Sequence, residues 1–180
     1  GWDPDQVVTE LALIEEPVAV VGTAFAFVHL TDALAERGQS LDLPAGSRAM
    51  ETGGFKGRSR ELTRQELHGA ISRRLGIGPE RIVNQYGMSE LASQFYDGVL
   101  ALGSASPRRK QSAPWTRTRV VAPDTLQPVA AGERGLLVHV DLANLERPAF
   151  VRTDDLGVAD ADGFDVLGRA SGAESRGCSL

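Results

Sequence analysis

The chain has 180 residues and 42% of them are hydrophobic, enough to bury the core of one domain or a large piece of one. Its 19 basic and 24 acidic residues give a net charge of −5, which argues against general attraction to nucleic acid or to an anionic membrane. No apolar run approaches the roughly 20 residues of a membrane span, no signal-peptide pattern opens the chain, and a single cysteine, Cys178, forms no internal disulfide, so the reducing cytoplasm is the expected compartment.

The first element is a helix over "DPDQVVTELALIEE", with Asp3 as N-cap and Pro4 at the first helical position. Val7, Leu11 and Ile14 keep helical spacing, and Pro17 stops it. "VAVVG" at 18–22 is short, branched and apolar, like a strand covered on both faces. "AFAFVHLTDALAERG" reads as a helix with Phe27, Leu30 and Leu34 on one side and Gly38 as terminator. "SRAMETGG" gives a brief strand ending in a glycine pair. Thr63 and Glu66 in "TRQE" fit a capping box, and Leu67, Ile71 and Leu75 form the buried stripe of the helix that follows. "RIVNQYG" is the third buried strand. Strands alternating with helices argue for a parallel α/β sheet.

Beyond residue 97 the pattern changes. The basic run "SPRRKQ" at 106–111 reads as a solvated loop, as charge runs usually are. "TRTRVVAPDTLQPVAAGERGLLVHVDL" alternates, turns at Pro123-Asp124 and resumes with "GLLVHV". "AFVRTDDLGVADADGFDVLGR" adds two or three strands joined by the turn "DADG". Without helices between them, these strands should pair antiparallel. The expected fold is α/β: a parallel sheet with flanking helices, then an antiparallel β-meander or partial barrel. The expected divisions are an α/β half over 1–97, a β-rich half over 98–169 and a hinge over 170–180. A beginning at "GWDPDQ" without methionine and a stop at "RGCSL" suggest an incomplete polypeptide.

Four segments can carry chemistry, and each has a plainer explanation. Gly53 and Gly54 follow a strand end, where ligands of open α/β sheets bind and bare backbone lets a flat ligand approach; they also suit an ordinary turn. In "NQYGMSE", Ser89 can bond a phosphate oxygen and Glu90 is a hard oxygen ligand suited to magnesium; Ser89 also suits a plain N-cap. In "FVRTDDLG", Asp154 and Asp155 can accept from a ribose diol, or can mark a surface turn. In "VLGRASGAESRG", Arg169 can reach a phosphate or ribose oxygen, or can begin an exposed linker. His29 and His68 have no evident triad partners and read as structural or exposed. "GTAFAFVHL" at 22–30 is either an acyl-channel wall, with Phe25 or Phe27 facing in, or a core helix.

The order and spacing of "TGG", "NQYGMSE", "RTDDLG" and "DGFDVLGR" resemble the core motifs of the adenylate-forming enzymes. That superfamily comprises acyl-CoA synthetases, peptide-synthetase adenylation domains and luciferases. Tyr86 to Glu90 match its tyrosine-glycine-x-threonine/serine-glutamate motif. Arg152 to Gly157 resemble its "RTGDLG", with Asp154 in place of the usual glycine. Asp162-Gly163 and Gly168-Arg169 match its "DG…GR". "GGFKGRSREL", "YGMSELASQFYD" and "ESRGCSL" look most like the acyl-protein synthetase branch, the LuxE type, which activates a fatty acid.

The resemblance implies roles. Gly53 and Gly54 would line the adenine and acyl end of a pocket, Tyr86 with Gly87 would lie against the adenine, and Asp155 would grip the ribose. Ser89 would contact the α-phosphate, Glu90 would hold Mg2+, and Arg169 would contact ribose or phosphate near a hinge. ATP and Mg2+ are the implied cofactors. The implied partners are a carboxylic acid and the acceptor thiol of a protein or of coenzyme A; Cys178 is one candidate acceptor. Two departures stand out: no glycine- and serine-rich phosphate loop precedes residue 50, and the lysine often found after "GR" is replaced by Ser171, Glu174 and Arg176. The chain therefore resembles the latter part of an adenylating large domain. A CoA ligase and a non-catalytic nucleotide-binding domain of the same fold are the alternatives.

Overall fold

The computed structural model describes residues 3–53, 62–103 and 108–170. Contacts divide the chain into two units, Gly1–Asn84 with Val99–Ser104, and Gln85–Gly98 with Ala105–Leu180.

In the first unit, Asp3 caps α1 (Pro4–Leu11) by accepting from the Asp5 N–H. The helix ends well before Pro17, because Leu13 and Ile14 bond back three residues, to Glu10 and Leu11, and the last turn tightens. Strand β1 (Ala19–Thr23) leads directly into α2 (Ala24–Glu36), where the Thr23 hydroxyl caps the Ala26 N–H. β1 runs parallel to β2 (Arg48–Thr52) in register Ala19↔Arg48 to Thr23↔Thr52. The expectation that β1 is covered on both faces fails. Only Val18 and Val20 pack on the core, while Val21 is 59% exposed.

The capping box forms as read. The Thr63 hydroxyl accepts from the Glu66 N–H, and the Glu66 carboxylate accepts from the Thr63 N–H, at the start of α3 (Arg64–Leu75). Gly76 closes that helix in the left-handed conformation. Leu67, Ile71 and Leu75 join Phe27, Leu30, Leu34 and Ile82 in one apolar core, each such side chain contributing about 1.5–3 kcal/mol of transfer free energy. Phe27 is thus a core residue, not a channel wall, and Phe25 packs edge-on against His29 at 4.3 Å. A 3₁₀ turn (Pro79–Arg81) precedes β3 (Ile82–Tyr86), the strand next to β2, and α4 (Val99–Leu102) completes the unit. One polar cluster sits within this interior. Glu51 Oε1 lies 3.1 Å from His68 Nε2 and accepts from Asn84 Nδ2 at 2.7 Å, all three residues being buried. His68 is therefore structural, as expected.

The second unit takes the end of β3 and then β4 (Phe95–Asp97), β5 (Lys110–Gln111), β6 (Thr116–Val121), β7 (Gly135–Asp141), β8 (Phe150–Asp160) and β9 (Gly163–Arg169). The order is β3-β4-β5-β9-β8-β7-β6, and each neighbouring pair is antiparallel. Phe95, Leu137, Val120 and Phe164 fill its core. The mixed α/β expectation thus holds, parallel pairing first and an antiparallel meander second.

Strands β4 and β5 are three and two residues long, too short to show alternation. β5 also overturns the reading of 106–111 as a solvated loop, at least over its described residues 108–111. Arg108 bonds the buried Asp97 carboxylate at 2.8 Å, Arg109 bonds Asp160 at 2.8 Å, and Lys110 is fully buried. Arg108 and Arg109 pair with carboxylates that arrive from elsewhere in the sequence and Lys110 is buried, so the run is not solvated. Two motif glycines are explained by close backbone approach. A Cβ on Gly157 would meet the Asp165 carbonyl oxygen at 2.5 Å, and one on Gly163 would meet that of Lys110 at 2.4 Å.

Candidate functional site

Among the described residues singled out from the sequence, Tyr86, Gly87, Ser89, Glu90, Asp154, Asp155 and Arg169 lie in the second unit. Tyr86 closes β3 opposite Phe95 of β4. Its ring packs among Phe95, His139 and Phe164, with centroids 6.2, 5.6 and 5.9 Å away. Its hydroxyl donates to Asp155 Oδ2 at 2.7 Å. Burial, and then the Asp155 carboxylate, push the Tyr86 phenol above its usual range, so it is a hydrogen-bond donor at any physiological pH.

Asp155 and Arg169 are direct cross-strand partners on β8 and β9, and a register shift follows immediately between Leu156 and Gly157. A bulge of this kind re-aims side chains, and bulges collect near active sites. Arg169 Nε lies 3.5 Å from Asp155 Oδ1, and Arg169 Nη2 lies 3.5 Å from Asp154 Oδ2. The Thr153 hydroxyl accepts from the Asp155 N–H at 3.0 Å and donates to the Leu137 carbonyl at 2.9 Å. Asp155 is therefore fixed through backbone and side chain together, and a carboxylate's acceptor sites leave room for a further donor.

Ser89 and Glu90 lie on the β3–β4 loop, exposed, with the Ser89 hydroxyl donating to Glu90 Oε2 at 3.2 Å. Sequence allowed Ser89 to cap a helix here, but the loop runs on to β4. Gly87 is exposed, and a Cβ there would meet Gln85 Nε2 at 2.7 Å. Among the described residues no group of three or more His, Cys, Asp and Glu could hold a metal. A lone exposed carboxylate such as Glu90 still suits magnesium, which keeps several waters and substrate phosphates and takes only one or two carboxylates. Gly53 belongs to the first unit. It is exposed, with φ +76° and open space where a Cβ would stand. Gly54, Ser171, Glu174, Arg176 and Cys178 lie outside the described residues.

His139 escaped the sequence reading. It is fully buried among the three aromatic rings, with Nδ1 3.0 Å from the Thr118 hydroxyl and Nε2 without a hydrogen-bond partner among the described residues. Burial holds its imidazole down at about 4, against a smaller upward pull from Asp141. Nothing in the alternating pattern of β7 distinguishes it from any other inward residue.

The fold is that of the adenylate-forming enzymes. It is shared with ATP-bound MatB from Rhodopseudomonas palustris (TM-score 0.64, 16% identity, 94% of this chain and 33% of that one) and with a long-chain-fatty-acid-CoA ligase, FadD1, from Archaeoglobus fulgidus (TM-score 0.64, 15% identity, 94% and 37%). Within that class, the model of the family "Acyl-protein synthetase, LuxE" matches residues 7–180, and the chain belongs to this family. A long-chain-fatty-acid–luciferin-component ligase of Aliivibrio fischeri is 35% identical over 82 residues, covering 41% of this chain and 22% of that protein. The protein of the same name from Vibrio harveyi is 23% identical over 172 residues, covering 91% and 44%. The chain thus spans less than half the length of these relatives.

Proposed function

We propose that the chain is the part of an acyl-protein synthetase that grips the nucleotide while a carboxylic acid, in the first place a fatty acid, is activated with ATP. The observation that carries this is the Tyr86–Asp155–Arg169 constellation: a carboxylate locked by a phenol hydroxyl, beside a guanidinium, at a strand bulge. Asp155 accepts from the ribose hydroxyls and Arg169 supplies positive charge to ribose or phosphate oxygens. Ser89 bonds an α-phosphate oxygen and Glu90 helps to hold magnesium. When bound, the metal neutralises charge that builds on the phosphate oxygens in the transition state.

The acid's carboxylate oxygen attacks the α-phosphorus, the bond to the β-phosphate oxygen breaks, and pyrophosphate leaves. The deprotonated sulfur of an acceptor thiol then attacks the acyl carbon and AMP departs. A protein thiol is the acceptor favoured by family membership.

The test is carboxylate-dependent exchange between pyrophosphate and ATP in the full protein, wild type against Glu90→Ala. A loss of about 100-fold or more is expected, from removal of a group that acts on charge in the transition state. Exchange that survives undiminished removes Glu90 from the site. A thioester formed on coenzyme A rather than on protein would reassign the second half-reaction, and a wild type that binds ATP without exchange would make the domain non-catalytic.

A further inference from the structure

We propose that Asn144, on the connection between β7 and β8, is a positioning residue that sets the direction of the loop bearing Ser89 and Glu90, and through it the rate of adenylate formation. The proposal rests on the roles given to Ser89 and Glu90 above. Residues 87–94 form no helix or strand, and the side chains of Ser89 and Glu90 are exposed. Such a loop presents a hydroxyl and a carboxylate in one direction only if its backbone is tied down from outside, since irregular exposed segments open most easily.

Asn144 supplies that tie. Its side chain is almost wholly buried and both ends of the amide are used. Oδ1 accepts from the Ala92 N–H at 2.7 Å, and Nδ2 donates to the Glu90 carbonyl at 3.0 Å and to the Pro148 carbonyl at 3.2 Å. The first two bonds bracket Leu91, which is buried in the core beside Phe95. The amide thus stands in for a neighbouring strand along Glu90–Ala92. An amide carries its acceptor and its donor on separate atoms of one short side chain, so it can serve two backbone groups at once.

Neighbouring contacts extend the clamp. The fully buried Asp141 carboxylate accepts from the Ser93 N–H at 2.8 Å, the Ser93 hydroxyl at 2.9 Å and the Ala143 N–H at 3.0 Å. The last of these turns the chain out of β7 and towards Asn144. Trp115 Nε1 donates to the Ser93 hydroxyl at 2.9 Å, and the Arg147 guanidinium donates to the Ser89 carbonyl. Asn144 alone holds the main chain of Glu90 itself among these contacts. A group acting on a transition state loses about 100-fold in rate for a displacement near 1 Å, so the clamp bears on turnover.

The experiment compares Asn144→Ala, Asn144→Asp and Glu90→Ala in the full protein. Hydrogen exchange of the 88–94 amides is read without metal or nucleotide, and carboxylate-dependent pyrophosphate exchange is read separately. In Asn144→Ala, exchange at Ala92 should rise at least tenfold while β7 and β8 stay protected. Both Asn144 variants should lose 10- to 100-fold in kcat with KM for the acid within twofold, because Asp keeps the acceptor for Ala92 but sets a second acceptor oxygen against the Glu90 carbonyl. Asn144→Asp preserves size and carries the test should the alanine variant not fold. Wild-type kcat in Asn144→Asp, whether or not the loop loosens, overturns the proposal while leaving the site intact if Glu90→Ala is inactive. An unimpaired Glu90→Ala overturns the site reading, and this proposal with it.

Discussion

The Tyr86 hydroxyl donates to Asp155 Oδ2 at 2.7 Å, joining two motifs that stand 69 residues apart in the chain. Neither motif contains a sign of the other, yet the bond fixes the carboxylate proposed to hold the ribose.

Tyr86→Phe removes that bond and leaves the aromatic packing with Phe95, His139 and Phe164 in place. A hydrogen bond to a charged group is worth about 1.5–3 kcal/mol. ATP binding to the full protein, measured by titration calorimetry, should weaken about tenfold, with the near-ultraviolet spectrum of the fold retained. Unchanged affinity would show that Asp155 needs no such support.

Asp154 takes the place of the glycine in the "RTGDLG" motif that this stretch resembles, and its carboxylate shares Arg169 with Asp155. Asp154→Asn keeps the shape and drops the competing charge. Exposed pairs contribute at most about 1 kcal/mol, so nucleotide binding should tighten by about two- to fivefold at low salt, and less at high salt. Binding that weakens instead would assign Asp154 a contact of its own.

His139 makes stability depend on pH. Its folded-state value of about 4 lies below the ordinary 6.5, so the unfolded chain takes up the proton first. The contribution is complete above pH 6.5 and is lost as pH falls through the window from 6.5 to 4. Each pKa unit is about 1.4 kcal/mol, giving about 3 kcal/mol at the acid end. Denaturant titrations at pH 7.5 and 4.5 should show His139→Phe losing less stability between the two than wild type. Parallel losses in the two proteins would mean the imidazole is not buried as described.

Glu51 bears on the first unit alone. Glu51→Ala removes the carboxylate beside His68 and Asn84, both buried. Leaving a buried donor without its partner costs about 1–3 kcal/mol, so the urea midpoint should fall. A shift worth under 1 kcal/mol would indicate that water reaches the cluster.

Several local signals whose interactions span about one turn of chain were read correctly, although α1 ends at Leu11 and not at Pro17. The Asp3 cap, the Thr63–Glu66 box and each step of the stripe Leu67–Ile71–Leu75 span at most four residues, so they are legible in the sequence. The motif glycines at 157 and 163 were visible too, although the reason for them, another strand's carbonyl oxygen within 2.5 Å of where a Cβ would stand, was not.

Tertiary structure decided the rest. The residue types "RRK" look solvent-loving until Asp97 and Asp160 arrive to pair with Arg108 and Arg109. Val20 and Val21 are equally apolar, but only one side of β1 faces the core. Nothing in the sequence singles out Asn144, and only the pairing of β6, β7 and β8 brings it under Glu90. The sequence by itself determined the longer helices and strands, though not β4 or β5, and showed which side chains carry groups able to do chemistry, because propensity and capping act over one turn. Only the fold determined which of those side chains meet, because a hydrogen bond reaches about 3 Å whatever the distance along the chain.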